Sequence, residues 1–272
     1  LTRRVTITAD DFGLTPAVNE AVERAHREGV LGAASLMVAG AAAADAVERA
    51  RRLPGLRVGL HLVLVEGAAV LPPSAIPKLA GPDGQFPSDQ ARLGVRYFFD
   101  PAARRQLRAE IAAQFAAFAA TGLTLHHADA HKHMHLHPTV GRLMIAEGRR
   151  HGLTRLRIPA EPPGVLAALG EPAGLGDRML HRWTGLLRAQ ARRAGLAVND
   201  HVFGLRWSGG MTAERVLRLV PHLPPGHSEL YFHPATGSDA VLGALMPGYD
   251  HVGEFEALID PRVRSALASY LP

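Results

Sequence analysis

The stretch Val5-Thr6-Ile7-Thr8-Ala9-Asp10-Asp11-Phe12-Gly13-Leu14-Thr15-Pro16 sets the pattern for the chain. Its β-branched half reads as a strand. Two carboxylates stand at that strand's end. Thr15 and Pro16 then signal a helix start, a capping hydroxyl followed by a proline in the first turn. Val18, Ala21, Val22 and Ala25 share one helical face, and Gly29 closes the segment. The unit is strand, acidic strand end, helix.

Working outward, the unit recurs. Residues 34–38, 56–63, 123–128, 155–159 and 229–233 read as strands, and 196–203 as a weak one. Helical periodicity covers 41–52, 101–121, 138–152, 177–194, 212–220 and the last 20 residues. Seven strands alternating with helices imply an α/β domain of parallel strands flanked by helices, a single domain over 1–272. A Gly-rich dinucleotide fingerprint does not follow the first strand, which weakens a Rossmann reading. Pattern alone does not separate a barrel from an open doubly wound sheet. Residues 66–100 break the rhythm with Pro72-Pro73, Pro77, Gly81-Pro82, Asp83-Gly84 and Pro87. They read as a long loop insertion, either a substrate loop or a solvated excursion.

Composition narrows the class. With 272 residues, 47% hydrophobic and 20% charged, the chain can bury a sizeable core and is not disordered. It has no cysteine, so thiolate-held zinc, iron–sulfur clusters, disulfides and a cysteine nucleophile are excluded. The net charge of +5 is carried almost wholly by Arg, dispersed along the chain, with Lys78 and Lys132 its lysines. Four Tyr and two Trp leave little for base stacking, so nucleic acid is not the expected partner. The run from Gly29 to Ala44 is uncharged but too short and too Ala/Gly-rich for a membrane span. Arg3-Arg4 leads straight into a strand, with no leader pattern, so the expected location is cytoplasmic, at most peripheral to a membrane.

The polar residues fall where chemistry is done. Asp10-Asp11 ends strand one, His61 follows Val58-Gly59-Leu60, Asp129 and His131 lie past strand four, and His233 ends Leu230-Tyr231-Phe232. In a parallel β/α domain the carboxyl ends of the strands converge on one face. The segment His126-His127-Ala128-Asp129-Ala130-His131-Lys132-His133-Met134-His135-Leu136-His137 holds six of the 15 histidines. If extended, its alternation from His131 to His137 would put four imidazoles on one side. A hydrolytic metal keeps about three protein ligands and an open position. Asp11, His61 and His131 would make such a set, with Asp129 orienting a ligand imidazole.

These residues resemble a known family. Asp10-Asp11-Phe12-Gly13, Gly59-Leu60-His61, the segment His127 to His133 and Phe232-His233-Pro234 are similar to the YdjC-like carbohydrate deacetylases, in the same order and over nearly the whole chain. Ala34-Ser35-Leu36-Met37-Val38, residues 114–123, residues 131–139 and Arg157-Ile158-Pro159-Ala160-Glu161-Pro162 resemble the hopanoid-biosynthesis-associated, HpnK-type branch. Ala130 stands where small residues such as Ser are more usual. The family pattern favours His131 over His133 as the ligand.

The resemblance implies an irregular (β/α) barrel of about seven parallel strands. It implies one divalent metal ion, Zn or Mg, and removal of an N-acetyl group from an amino sugar. For the branch, the implied substrate is an N-acetylglucosaminyl hopanoid; a chito-oligosaccharide or other N-acetylglucosamine substrate is the alternative, and homodimers are common among such proteins. The residues themselves assign Asp10 as general base and His233 as general acid. Asp129, His133 and Arg157 are expected to support the site or meet the sugar. A phosphoesterase on a His-rich barrel is the competing enzyme class, and would call for more than one metal. For a glycolipid substrate, Leu71, Ile76, Leu79, Phe86, Tyr97, Phe98 and Phe99 are a candidate apolar groove, with Arg92, Arg96, Arg104 and Arg105 facing anionic head groups.

Overall fold

The computed structural model describes residues 2–271. The strands are β1 Arg3–Phe12, β2 Ala33–Leu36, β3 Arg57–Leu62, β4 Gly67–Ala68, β5 Gln85–Phe86, β6 Ala128–Ala130, β7 Arg155–Leu156, β8 Ala197–Val198, β9 His201–Phe203 and β10 Gly226–Phe232. The α-helices are α1 Pro16–Glu28, α2 Ala43–Arg51, α3 Gln90–Phe99, α4 Pro101–Ala120, α5 Pro138–Arg150, α6 Pro163–Ala168, α7 Leu175–Arg193, α8 Ala213–Leu219, α9 Ala240–Leu245, α10 His251–Ile259 and α11 Pro261–Leu267. Local chemistry starts the helices as the sequence suggests. Thr15 accepts from Val18 N before Pro16, and Asp100 accepts from Ala102 N and Ala103 N around Pro101.

Eight strands form one sheet in the order β8-β7-β6-β3-β2-β1-β10-β9, and every pairing in it is parallel. The central strand β1 is buried from Val5 to Phe12 save half-buried Thr6, as a parallel strand covered on both faces should be. The weak strand expected over 196–203 is in fact two short strands at opposite edges of the sheet. Asn199 and Asp200 are all that separates β8 from β9 in the chain, so the sheet must curl to bring its edges together. The side chain of Asn199 exchanges two hydrogen bonds with the backbone of Ile158, and Val202 N donates to Ala160 O, linking the β7 side to β9. The result is a curled, barrel-like sheet of eight strands, one more than the sequence reading, because that reading took the bend for a single strand.

Two further expectations change. The 66–100 segment is not an open loop. It folds as the β4–β5 antiparallel hairpin followed by α3. Ile76, Leu79, Phe86 and Tyr97 are buried in the main hydrophobic cluster, and Leu71 packs against it, so they form core and not a groove. Phe98 and Phe99 remain exposed. Arg96 donates to Lys78 O and Arg104 to Phe98 O, tying those guanidiniums to the local backbone, while the Arg92 side chain is exposed. The histidine segment is not extended either. Residues His131–Leu136 form a 3-10 turn in which Lys132 and His133 have left-handed backbone (φ 48° and 53°). Its imidazoles therefore fan in different directions.

Candidate metal centre and active site

Period-two alternation builds a polar interior along the barrel axis. On β3, Arg57, Gly59 and His61 share one face; on β10, His227, Glu229 and Tyr231 do so, with His233 next in that alternation just past the strand's end. Gly59 is required there. A Cβ on it would lie 2.5 Å from the His127 ring. Strand β1 breaks its own alternation: its register with β2 shifts between Ala9 and Phe12, and Asp11 takes φ 61°. This bulge brings both Asp10 and Asp11 to the same rim. Left-handed backbone in a non-glycine residue is a strained choice, and it recurs on both segments that deliver the polar groups here.

Donor atoms of Asp11, His61 and His131 lie within 4.8 Å of one another, all three side chains buried. The Asp11 carboxylate is 3.3 Å from His61 Nε2 and 3.2 Å from His131 Nδ1. Yet neither Asp11 oxygen is satisfied by a well-directed hydrogen bond. Donors converging on a common point, with the carboxylate orphaned, is the arrangement a cation completes. Behind it, His61 Nδ1 sits 2.7 Å from Asp129 Oδ1, a carboxylate–imidazole pair of the kind that fixes the ligating tautomer. Burial opposes charging His61, but Asp129 and Asp10 outweigh it and raise its pKa to about 10 in the metal-free chain. Burial works against ionised Asp11 too, and His131 and His61 hold its carboxyl well below the usual range.

A second cluster, Asp10, His61 and Asp129, also meets the spacing for a metal. It is already filled by the fully buried Arg157. This guanidinium holds Asp10 with two bonds of 2.6 and 2.8 Å, reaches Asp129 at 2.9 Å and binds Glu229 through Nε at 3.0 Å. Burial alone would lower its pKa; Asp10, Asp129 and Glu229 raise it well above the ordinary value. The ring of Tyr231 covers it at 5.0 Å. Three carboxylates thus share one guanidinium, while Asp11, outside that network, faces His61 and His131.

The site opens into a cavity of about 310 Å³ lined by Asp10, His61, His131, His133, Tyr231 and His233, among others. His133 Nε2 lies 3.2 Å from Tyr231 Oη on its wall. His135 turns away and meets Arg157 O, while His127 packs below with Ser35 and His137 lies beside Tyr97 and Phe98. Burial lowers the His233 pKa, with Asp11 and Asp10 opposing. Its Nδ1 faces Glu254 Oε2 at 3.9 Å, and Glu254 accepts the backbone N–H groups of Met211 and His233. Burial pushes Glu254 up to about 8.

Residues 4–269 match the family described as YdjC-like protein. The chain belongs to the YdjC-like family. A mouse relative named carbohydrate deacetylase is 32% identical over 97% of this chain and 91% of its own. The human carbohydrate deacetylase is 31% identical over 97% of this chain and 87% of its own. That of Geobacillus stearothermophilus is 28% identical over 96% and 91%. A crystal structure of an Enterococcus faecalis protein superposes with a TM-score of 0.77 at 23% identity, covering 99% of this chain and 95% of that one, a likeness of fold.

In this YdjC-like chain the structure brings Asp10, Asp11, His61, Asp129, His131, His133, Arg157 and His233 to one rim or directly behind it. Sequence reasoning passed over Glu229 and Tyr231, although alternation with His233 on the last strand marks both. It also passed over Tyr249 and Glu254, which arrive from a loop and from α10 with no local signal. Among the described residues, no helix is long and apolar enough to cross a membrane.

Proposed function

We propose that this protein is a metal-dependent carbohydrate N-deacetylase, with one divalent ion held by Asp11, His61 and His131. The observation that carries the reading is the orphaned Asp11 carboxylate between two imidazoles that, with the neighbouring Asp10, line a sugar-sized cavity. Two nitrogens and one oxygen favour Zn or another transition ion over Mg. When bound, the ion supplies Lewis acidity, lowering the pKa of a water toward about 7 and polarising the acetyl carbonyl.

The chain's own groups move the protons. Asp10, held and oriented by two hydrogen bonds from Arg157, accepts a proton from the attacking water as its oxygen adds to the amide carbon. The carbon–nitrogen bond then breaks, and His233 delivers a proton to the departing amine nitrogen. His233 is neutral at rest, so its partner matters: Glu254 keeps a proton at neutral pH and faces Nδ1, so the pair holds the proton the amine needs. Acetate and a free amino sugar leave.

The proposed substrate is an N-acetylglucosaminyl hopanoid. Lys132 and His133 line both the catalytic cavity and an adjoining groove with Leu136, Leu180 and Trp183. Trp183 in its wall is 49% exposed, and Phe98, against His137 of the same wall, is 47% exposed with Phe99 beside it at 72%. Next to it, Arg104, Arg105, Arg108 and Arg142 line a cleft between α4 and α5, and none is in an ion pair among the described residues. Exposed aromatics flanked by arginines suit a lipid aglycone at an anionic membrane surface.

Acetate release tests this with metal-loaded protein, offering an N-acetylglucosaminyl hopanoid and a chito-oligosaccharide to wild type and Asp10→Asn. The expected result is preferred turnover of the lipid-linked sugar by wild type and a large loss in the variant. No acetate from any amino sugar rejects the class. Equal rates reject Asp10 as base, and a preference for the oligosaccharide rejects the lipid aglycone.

A further inference from the structure

The opposite end of the barrel encloses a second cavity, of about 230 Å³. Arg4, Arg57, Arg155 and His227 line it from the N-terminal ends of β1, β3, β7 and β10, and His126 joins them just before β6. Glu229 is the one carboxylate in its wall, and that group is committed to Thr8 Oγ1 at 2.8 Å and Arg157 Nε at 3.0 Å. Among the described residues the side chains of Arg4 and Arg155 have no hydrogen-bond or ion-pair partner, and that of Arg57 donates to Gly32 O. Like charges crowd one another here. Burial and then Arg155 push the Arg57 guanidinium below its ordinary value. Burial, His127, Arg57 and Arg155 together push His126 down to about 4.

Three guanidiniums facing one concavity without a free carboxylate repel one another at a cost, and the two imidazoles, held toward their neutral form, supply no balancing charge. A multivalent oxyanion removes that cost, because guanidinium forks match its oxygens pairwise. We propose that this basal cavity binds a phosphate group, either inorganic phosphate or the phosphoryl end of a small phosphomonoester. A dianion balances the charge of two guanidiniums at once, whereas a single carboxylate balances one. The inner wall of the cavity includes Arg157 and Glu229, the far side of the network that holds Asp10. The proposal does not depend on the deacetylase reading.

Calorimetric titration of metal-loaded protein with inorganic phosphate, and separately with a sugar phosphate, at constant ionic strength tests it. Saturable binding is expected with a midpoint near or below about 1 mM. Arg4→Gln/Arg155→Gln, both exposed and so tolerable to the fold, should weaken it at least about tenfold. Arg57→Gln should do the same, and Asp11→Asn should leave it intact. Tighter binding of the ester, lost in the same variants, assigns the phosphoryl group to a small metabolite; equal binding assigns it to free phosphate. The proposal fails if phosphate does no more than chloride, if binding survives the arginine variants, or if Asp11→Asn abolishes it, which would put the anion on the metal centre.

Discussion

At the scale of single residues, the adjacent Asp10 and Asp11 are proposed to do different work because their surroundings differ. Asp10 is gripped by Arg157; Asp11 is left open toward two imidazoles. Asp11→Asn is expected to lose the metal, read as metal content per chain falling from about one toward zero. Asp10→Asn should keep the ion and lower kcat by roughly 100- to 10,000-fold, the usual worth of a general base. Similar losses of both metal and rate in the two variants would merge roles that the geometry separates. Arg157 acts on stability as well. Arg157→Met leaves Asp10, Asp129 and Glu229 buried without their cation, at a cost of about 3–5 kcal/mol, measured by urea denaturation.

Elements place these residues. Strand β3 can carry His61 into the interior only while Gly59 leaves room for the His127 ring, 2.5 Å from where a Cβ would be. Gly59→Ala should cost about 1–3 kcal/mol by overpacking, visible as a lowered Tm; an unchanged Tm would show that the ring moves freely. Helix α10 supplies Glu254. Unfolded, this carboxyl ionises near 4.5; folded, it keeps its proton to about 8. Its contribution to stability is therefore complete below the lower value and lost as pH rises through the upper one. Glu254→Gln copies the protonated form, so urea titrations from about pH 5 to pH 8 should show a flatter decline than wild type. Parallel slopes for the two proteins would argue against a protonated Glu254.

For the whole molecule, the curled sheet turns residues from distant parts of the chain into one rim. An ion bound there would hold β1, β3 and the turn after β6 together, and so would link folding to metal. Chelation should lower Tm, with the loss growing as about RT ln(1 + [metal]/Kd), roughly 4 kcal/mol at a thousandfold excess over Kd. Metal addition should also release protons, because His61 must give one up to ligate. A Tm indifferent to chelators in protein shown to carry metal would detach the ion from the fold.

Much of this was legible along the chain. Alternation, capping signals and polar strand ends are local, so the sequence alone points to parallel β/α units and to Asp10, Asp11, His61, Asp129, His131 and His233. Local signals could not tell that residues 196–203 straddle both edges of the sheet, that the histidine run winds into a turn, or that the proline-rich insertion supplies core. Those outcomes depend on which surfaces meet. Nor could spacing reveal that Arg157 occupies one of two carboxylate–imidazole clusters and leaves the other open, or that Glu254 arrives behind His233. Side-chain chemistry is written residue by residue, whereas burial, pairing and the charge left unbalanced exist only once the sheet has curled.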